Sequence, residues 1–400
     1  MDFRLTNEQV LFRNMAREFS EKNIRPLAKE IDRSEKIPLS LLKGMADLGL
    51  LGVTIPENYG GPGGNAVLAA VGAMEVARGD VSMALPVYYL LAAGWSSVIS
   101  KYGTEEAKGE ILPRIAKAEH FVGIATTEPG GGSDLANLKT TAVRKGDKFI
   151  INGEKAFYSG YRECEQLGRG GHVTLLRTDL SKGTRGFSFM YVPYNCPGMK
   201  YTNYSHLGRT GFSTGGMTYE NVEVPAKYLL GEENRGYNYA MDGFSLARTL
   251  VASACIGAAE RALELGMDYI KTREAFGKPI ARFEGIQFEL ANDYAMLEMV
   301  RTAVLKAAWL YDEVQRGGDA TISELNIQMA ISKLMAPQVA FDIFKHVMMW
   351  YGGAGYNNDV ELGMGLKGIL SYLAGAEGAL NIMRIIIGKE LLGKEFMPTS

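Results

Sequence analysis

The sequence predicts a mainly helical α+β protein in three successive parts: a helical domain over 1–120, a small β domain over 121–235 and a helical bundle domain over 236–400. Three observations predict it. Apolar residues recur at helical spacing near both ends of the chain. Between them the period shortens to that of strands separated by Gly, Pro, Asn and Lys turns. The chain has 400 residues, 46% of them hydrophobic, which suffices for two or three domains with ample core.

From the N-terminus, Thr6 and Gln9 form a capping-box pattern ahead of Leu11, Met15 and Phe19 at helical spacing. Pro26, Pro38 and the stretch from Pro56 to Pro62 mark breaks between helices. Residues 81–100 carry no charge and are long enough to cross a bilayer. Pro86, Gly94 and four serines within a globular pattern make this run a buried core helix instead, with Asp80 before it as a helix cap.

In the middle part, KFIING, HVTLLRT, FSFMYVP and GMTYENVEV read as strands. Beyond Asn234 the helical period returns. Ile286, Leu290, Tyr294, Leu297, Val300, Val304 and Ala307 trace one face of a long helix. Gly363-Met-Gly-Leu-Lys-Gly368 satisfies the dinucleotide fingerprint, but it lies in a helical region with no strand before it, so no Rossmann unit is expected.

A net charge of −2 with dispersed basic residues favours neither nucleic acid nor an anionic membrane surface. Cys164, Cys196 and Cys255 and the four histidines show no metal-ligand spacing, so no metal is expected and a reducing compartment fits. The start of the sequence shows neither an apolar signal segment nor an Arg/Ser-rich transit pattern, and a cytoplasmic protein is expected.

The most informative stretch is FVGIATTEPGGGSD at 121–134. Its glycines let backbone N–H groups approach a flat or anionic ligand closely, because no Cβ intervenes. Together with INGEKAFYS, YENVEVPAKYLLGE, REAFGKPI, WYGGAGY and AEGALNIMR, in this order and spacing, it makes the whole chain resemble the acyl-CoA dehydrogenase family. The resemblance implies an N-terminal helical domain, a middle β-barrel domain and a C-terminal four-helix bundle. It also implies FAD-dependent α,β-dehydrogenation of an acyl-CoA thioester, with electrons passed to an electron-transferring flavoprotein.

Residue by residue, Glu377 matches the family's base, a role that suits a carboxylate whose proton affinity is raised by burial. Some branches place the base immediately before the arginine matched by Arg248; Ala247 stands there and cannot serve. Ile124, Thr126, Thr127, Gly132 and Ser133 match the loop along the flavin ring, and Phe157 and Ser159 match a Trp-x-Thr pair that covers it. Arg273, with Phe276, matches the segment that binds the FAD pyrophosphate across a subunit interface; Gln287, Gly352 and Gly353 match further contacts to the neighbour's FAD. A site completed between subunits implies an oligomer, and the resemblance points to a homotetramer.

For the substrate, Ser133 matches a residue near the pantetheine and Arg248 one near the adenine end. Gly378 adjoins the base. Tyr88 and Tyr89 are expected beside the acyl pocket, where they would shorten a fatty-acyl tunnel and suit a cyclic or short acyl group. The loop read over 161–171 is unusually charged and glycine-rich, and Leu366-Lys-Gly-Ile-Leu370 stands where the family has a Tyr-Arg-Asp-Ala-like segment. The arginine with which glutaryl-CoA enzymes hold a distal carboxylate has Ala84 or a neighbour in its place, so a dicarboxylyl substrate is not expected. Enzymes of bacterial alicyclic or aromatic acyl-CoA breakdown are the nearest in character. Two other readings stay open: a family-like flavin oxidase or monooxygenase, and a catalytically silent acyl-CoA- and FAD-binding scaffold.

Overall fold

The computed structural model describes residues 4–397. Six α-helices come first: α1 (Asn7–Phe19), α2 (Ala28–Ser34), α3 (Leu39–Asp47), α4 (Ala66–Gly79), α5 (Ala84–Tyr102) and α6 (Glu105–Ala116). The predicted capping box starts α1, with Thr6 and Gln9 exchanging side-chain and backbone hydrogen bonds. Every residue of α4 is buried, and nearly every one of α5. The charge-free run is thus a core helix, and among the described residues no helix is long and apolar enough to cross a membrane. Asp80 ends α4 and caps α5, its carboxylate accepting from Ser82 N at 3.0 Å and Leu85 N at 2.8 Å.

The β domain holds β1 (Phe121–Ile124), β2 (Thr141–Lys145), β3 (Lys148–Ser159), β4 (Gly170–Arg177), β5 (Phe187–Pro193), β6 (Met199–Asn203), β7 (Thr214–Pro225) and β8 (Leu229–Leu230). They form one sheet in the order β6-β7-β3-β2-β4-β5-β8, with β1 parallel to β4. Among the described residues the ladder does not close between β6 and β8. The segment after β3 differs from the loop expected there: Tyr161–Leu167 form a helix, α7, stopped by Gly168 in the left-handed conformation.

The C-terminal part contains α8 (Gly236–Thr272), a small ribbon of β9 (Glu274–Ala275) and β10 (Lys278–Pro279), then α9 (Glu284–Gln315), α10 (Ile322–Tyr351), α11 (Leu362–Ala374) and α12 (Leu380–Leu392). On α9 the expected face is buried at Leu297, Val300, Val304 and Ala307, whereas Tyr294 is 56% exposed. The fingerprint glycines 363 to 368 lie on α11, with no strand preceding them.

The first and last parts are packed together rather than strung apart. α4 and α5 lie against α8, burying Leu250, Val251 and Ala254 among their own apolar residues. Polar groups fix the fit. Arg78 on α4 makes a forked pair with Glu264 on α8 at 2.7 and 3.0 Å. Asp312 on α9 accepts from Ala66 N and Val67 N at 2.8 and 3.2 Å, placing a carboxylate at the positive N-terminus of α4.

Candidate active site

A cavity of about 930 Å³ opens where the ends of β1 and β3 meet α5, α8 and the α11–α12 turn. Its apolar wall includes Val87, Leu90 and Leu91 of α5 and Phe244 and Val251 of α8. Its polar groups come from the 124–133 loop, the end of β3, the 206–209 loop and the α11–α12 turn.

Glu377 sits in that turn. α11 ends at Gly375, and Ala376 N bonds back to Ser371 O at 3.2 Å. Glu377 itself takes φ 56° and Gly378 φ 111°, so the chain reverses sharply enough to turn the Glu377 side chain into the cavity. A left-handed non-glycine residue is disfavoured and persists where the surroundings hold it. One such hold is Arg248 of α8, whose Nε donates to Glu377 O at 2.9 Å. The residue as a whole is half-buried, yet its Oε2 is shielded from water and has no hydrogen-bond partner. The carboxyl end is therefore the desolvated part, and burial pushes its pKa up to about 7 against the charges of Arg248, Lys333 and Arg209.

Those three cations come from three elements. Arg248 is 7% exposed, and burial pulls it down to about 10. Lys333 of α10 is fully buried, donates to Tyr372 O at 2.7 Å, and is pulled down to about 8 by burial. Arg209, in the loop after β6, is lowered by burial too. All three guanidinium or ammonium groups favour an ionised Glu377, so its proton affinity is a balance of desolvation against nearby positive charge.

The same cavity offers a cradle for a flat ring. β3 pairs with β7 with a register shift between Lys155 and Tyr158. This irregularity sets Phe157 at φ 56° and leaves its ring 65% exposed, while Ala156 and Tyr158 on either side are buried. Beneath it, the fully buried Lys155 donates to Thr126 O at 3.2 Å, Leu175 O at 3.0 Å and Glu128 Oε1 at 3.0 Å. Glu128 also accepts from Lys139 N, Thr140 N and Thr140 Oγ1. Burial pulls Lys155 down to about 8. The Thr127–Ala156 backbone bond at 2.8 Å ties loop and strand together, and a Cβ on Gly132 would crowd Thr127 at 3.0 Å. An exposed aromatic face, hydroxyls of Thr126, Thr127 and Ser159 and a rigid glycine loop fit a flavin.

The structure thus brings Ile124, Thr126, Thr127, Gly132, Ser133, Phe157, Ser159, Arg248, Glu377 and Gly378 to one cavity. It does not bring Tyr88 and Tyr89 there. They are 1% and 0% exposed in the core, Tyr89 donating to Ala69 O at 3.0 Å, and the face of α5 turned to the cavity is that of Val87, Leu90 and Leu91. Arg248 is buried against the Glu377 turn, its Nε donating to Glu377 O. Arg273, Phe276, Gln287, Gly352 and Gly353 lie outside the cavity on the exposed surface, Phe276 at 94% exposure. Lys155, Glu128, Arg209 and Lys333 were not singled out from sequence. A lone charged residue inside an apolar helix was the only signal for Lys333, and nothing local marks Lys155, which follows Glu154, or Arg209.

Models of the acyl-CoA dehydrogenase N-terminal, middle and C-terminal domains match residues 6–119, 123–222 and 234–392. The chain is 34% identical to cyclohex-1-ene-1-carbonyl-CoA dehydrogenase of Syntrophus aciditrophicus, covering 97% of this chain and 91% of that one. It is 31% identical to the caffeyl-CoA reductase-Etf complex subunit CarC of Acetobacterium woodii, covering 97% and 99%. Its fold is similar to that of butyryl-CoA dehydrogenase from Megasphaera elsdenii, with TM-score 0.89 and 28% identity over 98% and 100% of the two chains. With every part of the molecule matched in order, the chain belongs to the acyl-CoA dehydrogenase family and is an FAD-dependent oxidoreductase acting on CH–CH bonds.

Proposed function

We propose that this enzyme removes the α-proton of an acyl-CoA thioester with Glu377, yielding the enoyl-CoA. The observation that carries this reading is the Glu377 carboxyl, desolvated at Oε2 and without a partner, in the cavity that also holds the flavin cradle. A base whose proton affinity lies near neutrality can both take and release a proton at working pH. Bound FAD supplies the acceptor for the β-hydrogen, which leaves as hydride. Phe157 and the hydroxyls of Thr126, Thr127 and Ser159 would hold its ring, and Ser133 and Gly378 border the path of the thioester. The backbone N–H of Glu377, in its left-handed turn, is the proposed donor to the thioester oxygen.

The exposed Arg273, Phe276, Gln287, Gly352 and Gly353 do not line the Glu377 cavity. Their use in a neighbour's FAD site, within a homotetramer, is part of the proposal. So is electron transfer to an electron-transferring flavoprotein, supported by the CarC relative's place in an Etf complex. A short or cyclic acyl group is supported by the cyclohex-1-ene-1-carbonyl-CoA relative rather than by the buried tyrosines.

Anaerobic titration of the FAD-loaded protein with straight, branched and cyclic acyl-CoAs tests the reading. Bleaching of the flavin band by one class is the expected result. A yellow protein that no acyl-CoA bleaches sinks it, and rapid oxygen consumption during turnover would favour an oxidase instead.

A further inference from the structure

The loop between β6 and β7 adjoins the flavin cradle through several contacts. Tyr204 packs edge-on against the exposed Phe157 ring, with centroids 5.4 Å apart and planes at 73°. His206 Nε2 lies 3.3 Å from Thr214 O. Arg209 Nη2 donates to Thr214 Oγ1 at 3.4 Å, and that hydroxyl lies 2.8 Å from Ser159 Oγ. Phe157 and Ser159 are the ring face and hydroxyl that the end of β3 offers the cradle, and Arg209 lines the same cavity.

Arg209 takes φ 51°, a left-handed conformation that a non-glycine residue keeps only where its surroundings hold it. Here Phe212 N donates to Arg209 O at 3.1 Å. Thr210 Oγ1 lies 2.6 Å from Asp32 O and 2.8 Å from the Asp32 carboxylate. On the other side, a Cβ on Gly208 would meet Lys367 main chain at 2.7 Å. The Arg209 side chain is half-buried, burial lowers the proton affinity of its guanidinium, and among the described residues no carboxylate lies within ion-pair distance. The other charges nearby are already matched: Lys155 pairs with Glu128, and Glu163 accepts from Ser213 N and Oγ. Desolvated cations are normally paired, so a negative charge that appears only during turnover would complete Arg209.

We propose that Arg209 is the cation that stabilises the negative charge of the reduced flavin ring and so raises the midpoint potential of the bound FAD. This rests on the dehydrogenase reading above and assigns that site its redox poise. In the reaction the α C–H bond breaks and its proton goes to Glu377, which loses its charge. The β C–H bond breaks too, and its hydrogen leaves with the electron pair for the ring, which gains one negative charge as the C=C bond forms. One negative charge thus passes from Glu377 to the ring. Glu377 feels the charge of Arg209, and Arg209 stands at the cradle, so the guanidinium faces that charge before and after the transfer. A cation fixed in place by its loop costs no reorganisation at that moment. The higher potential draws the equilibrium towards the enoyl-CoA.

The test reads the midpoint potential of bound FAD by dye-coupled reduction without substrate, together with the dissociation constants of oxidised and reduced FAD. Arg209→Gln should weaken reduced FAD relative to oxidised FAD by about 10–100-fold, which lowers the two-electron midpoint by about 30–60 mV. Arg209→Lys keeps a charge without the planar fork and should lie between. Should Arg209→Gln fail to fold, Arg209→Met, also uncharged, carries the same expectation. A midpoint that stays at the wild-type value or rises overturns the proposal. Equal weakening of both oxidation states is one form of that result, and it leaves Arg209 a merely structural part. If no acyl-CoA bleaches the flavin, the dehydrogenase reading fails, while the potential measured without substrate still decides the role of Arg209.

Discussion

Arg248 Nε donates to the main-chain carbonyl of Glu377 at 2.9 Å, so one buried side chain both holds the Glu377 backbone and lowers the proton affinity of its carboxyl. The two roles separate by substitution. Arg248→Lys keeps a cation but loses the planar donor, and kcat should fall roughly tenfold with little movement of the pH profile. Arg248→Gln removes the charge as well, and its acid limb should move to higher pH. Superimposable kcat–pH profiles for the two variants would show that the charge does not act on Glu377.

Removal of the base itself should be severe. Glu377→Gln keeps the shape and the backbone N–H but cannot accept the α-proton, and flavin bleaching by substrate should slow by about 10²–10⁴-fold. The variant should remain yellow and bind acyl-CoA, because the cradle at Phe157, Thr126 and Thr127 is on other elements. Stopped-flow bleaching together with retained FAD absorbance checks both halves.

The raised affinity of Glu377 has opposite consequences for rate and stability. The base works ionised, so kcat should rise with pH through about 7. In the unfolded chain the carboxyl loses its proton near its ordinary 4.5, whereas in the folded enzyme it keeps it up to about 7. Across that window the folded state binds more protons, so this group lowers stability as pH rises. The Tm of Glu377→Gln relative to wild type should therefore increase between roughly pH 5 and pH 8. A constant difference would mean that the carboxyl is solvated.

Lys155 offers a test of the floor beneath the flavin cradle. Lys155→Met leaves Glu128 buried without its cation and removes donors from Thr126 O and Leu175 O. Breaking a buried pair from one side costs about 3–5 kcal/mol. Tm should drop and FAD should dissociate more readily on gel filtration. Adding Glu128→Gln should restore part of the lost stability, since the orphaned charge is gone; a strictly additive double variant would show that the two groups act separately.

Much of this was legible in one dimension because it depends on local rules. Thr6 and Gln9 needed only their spacing to cap α1, and Asp80 only its place before an apolar run to cap α5. The strands of the β domain followed from period and turn residues, although Tyr161–Leu167, rich in charge and flanked by glycine, formed a helix where a loop was expected. The resemblance nominated Glu377, but its orphaned Oε2 and raised proton affinity could not be seen without its surroundings.

By itself the sequence determined the order of helical, β and helical parts, since periodicity is a property of neighbours along the chain, and its resemblance to the family nominated the flavin loop and Glu377 as the candidate base. The tertiary structure alone decided which face of α5 meets the cavity, burying Tyr88 and Tyr89 and presenting Val87, Leu90 and Leu91. It alone gathered Arg209, Arg248 and Lys333, from a loop, α8 and α10, around one carboxyl. The physical reason is that desolvation and Coulomb interaction depend on distance in space, and residues 209 and 377 become neighbours only when three packed elements close upon one another.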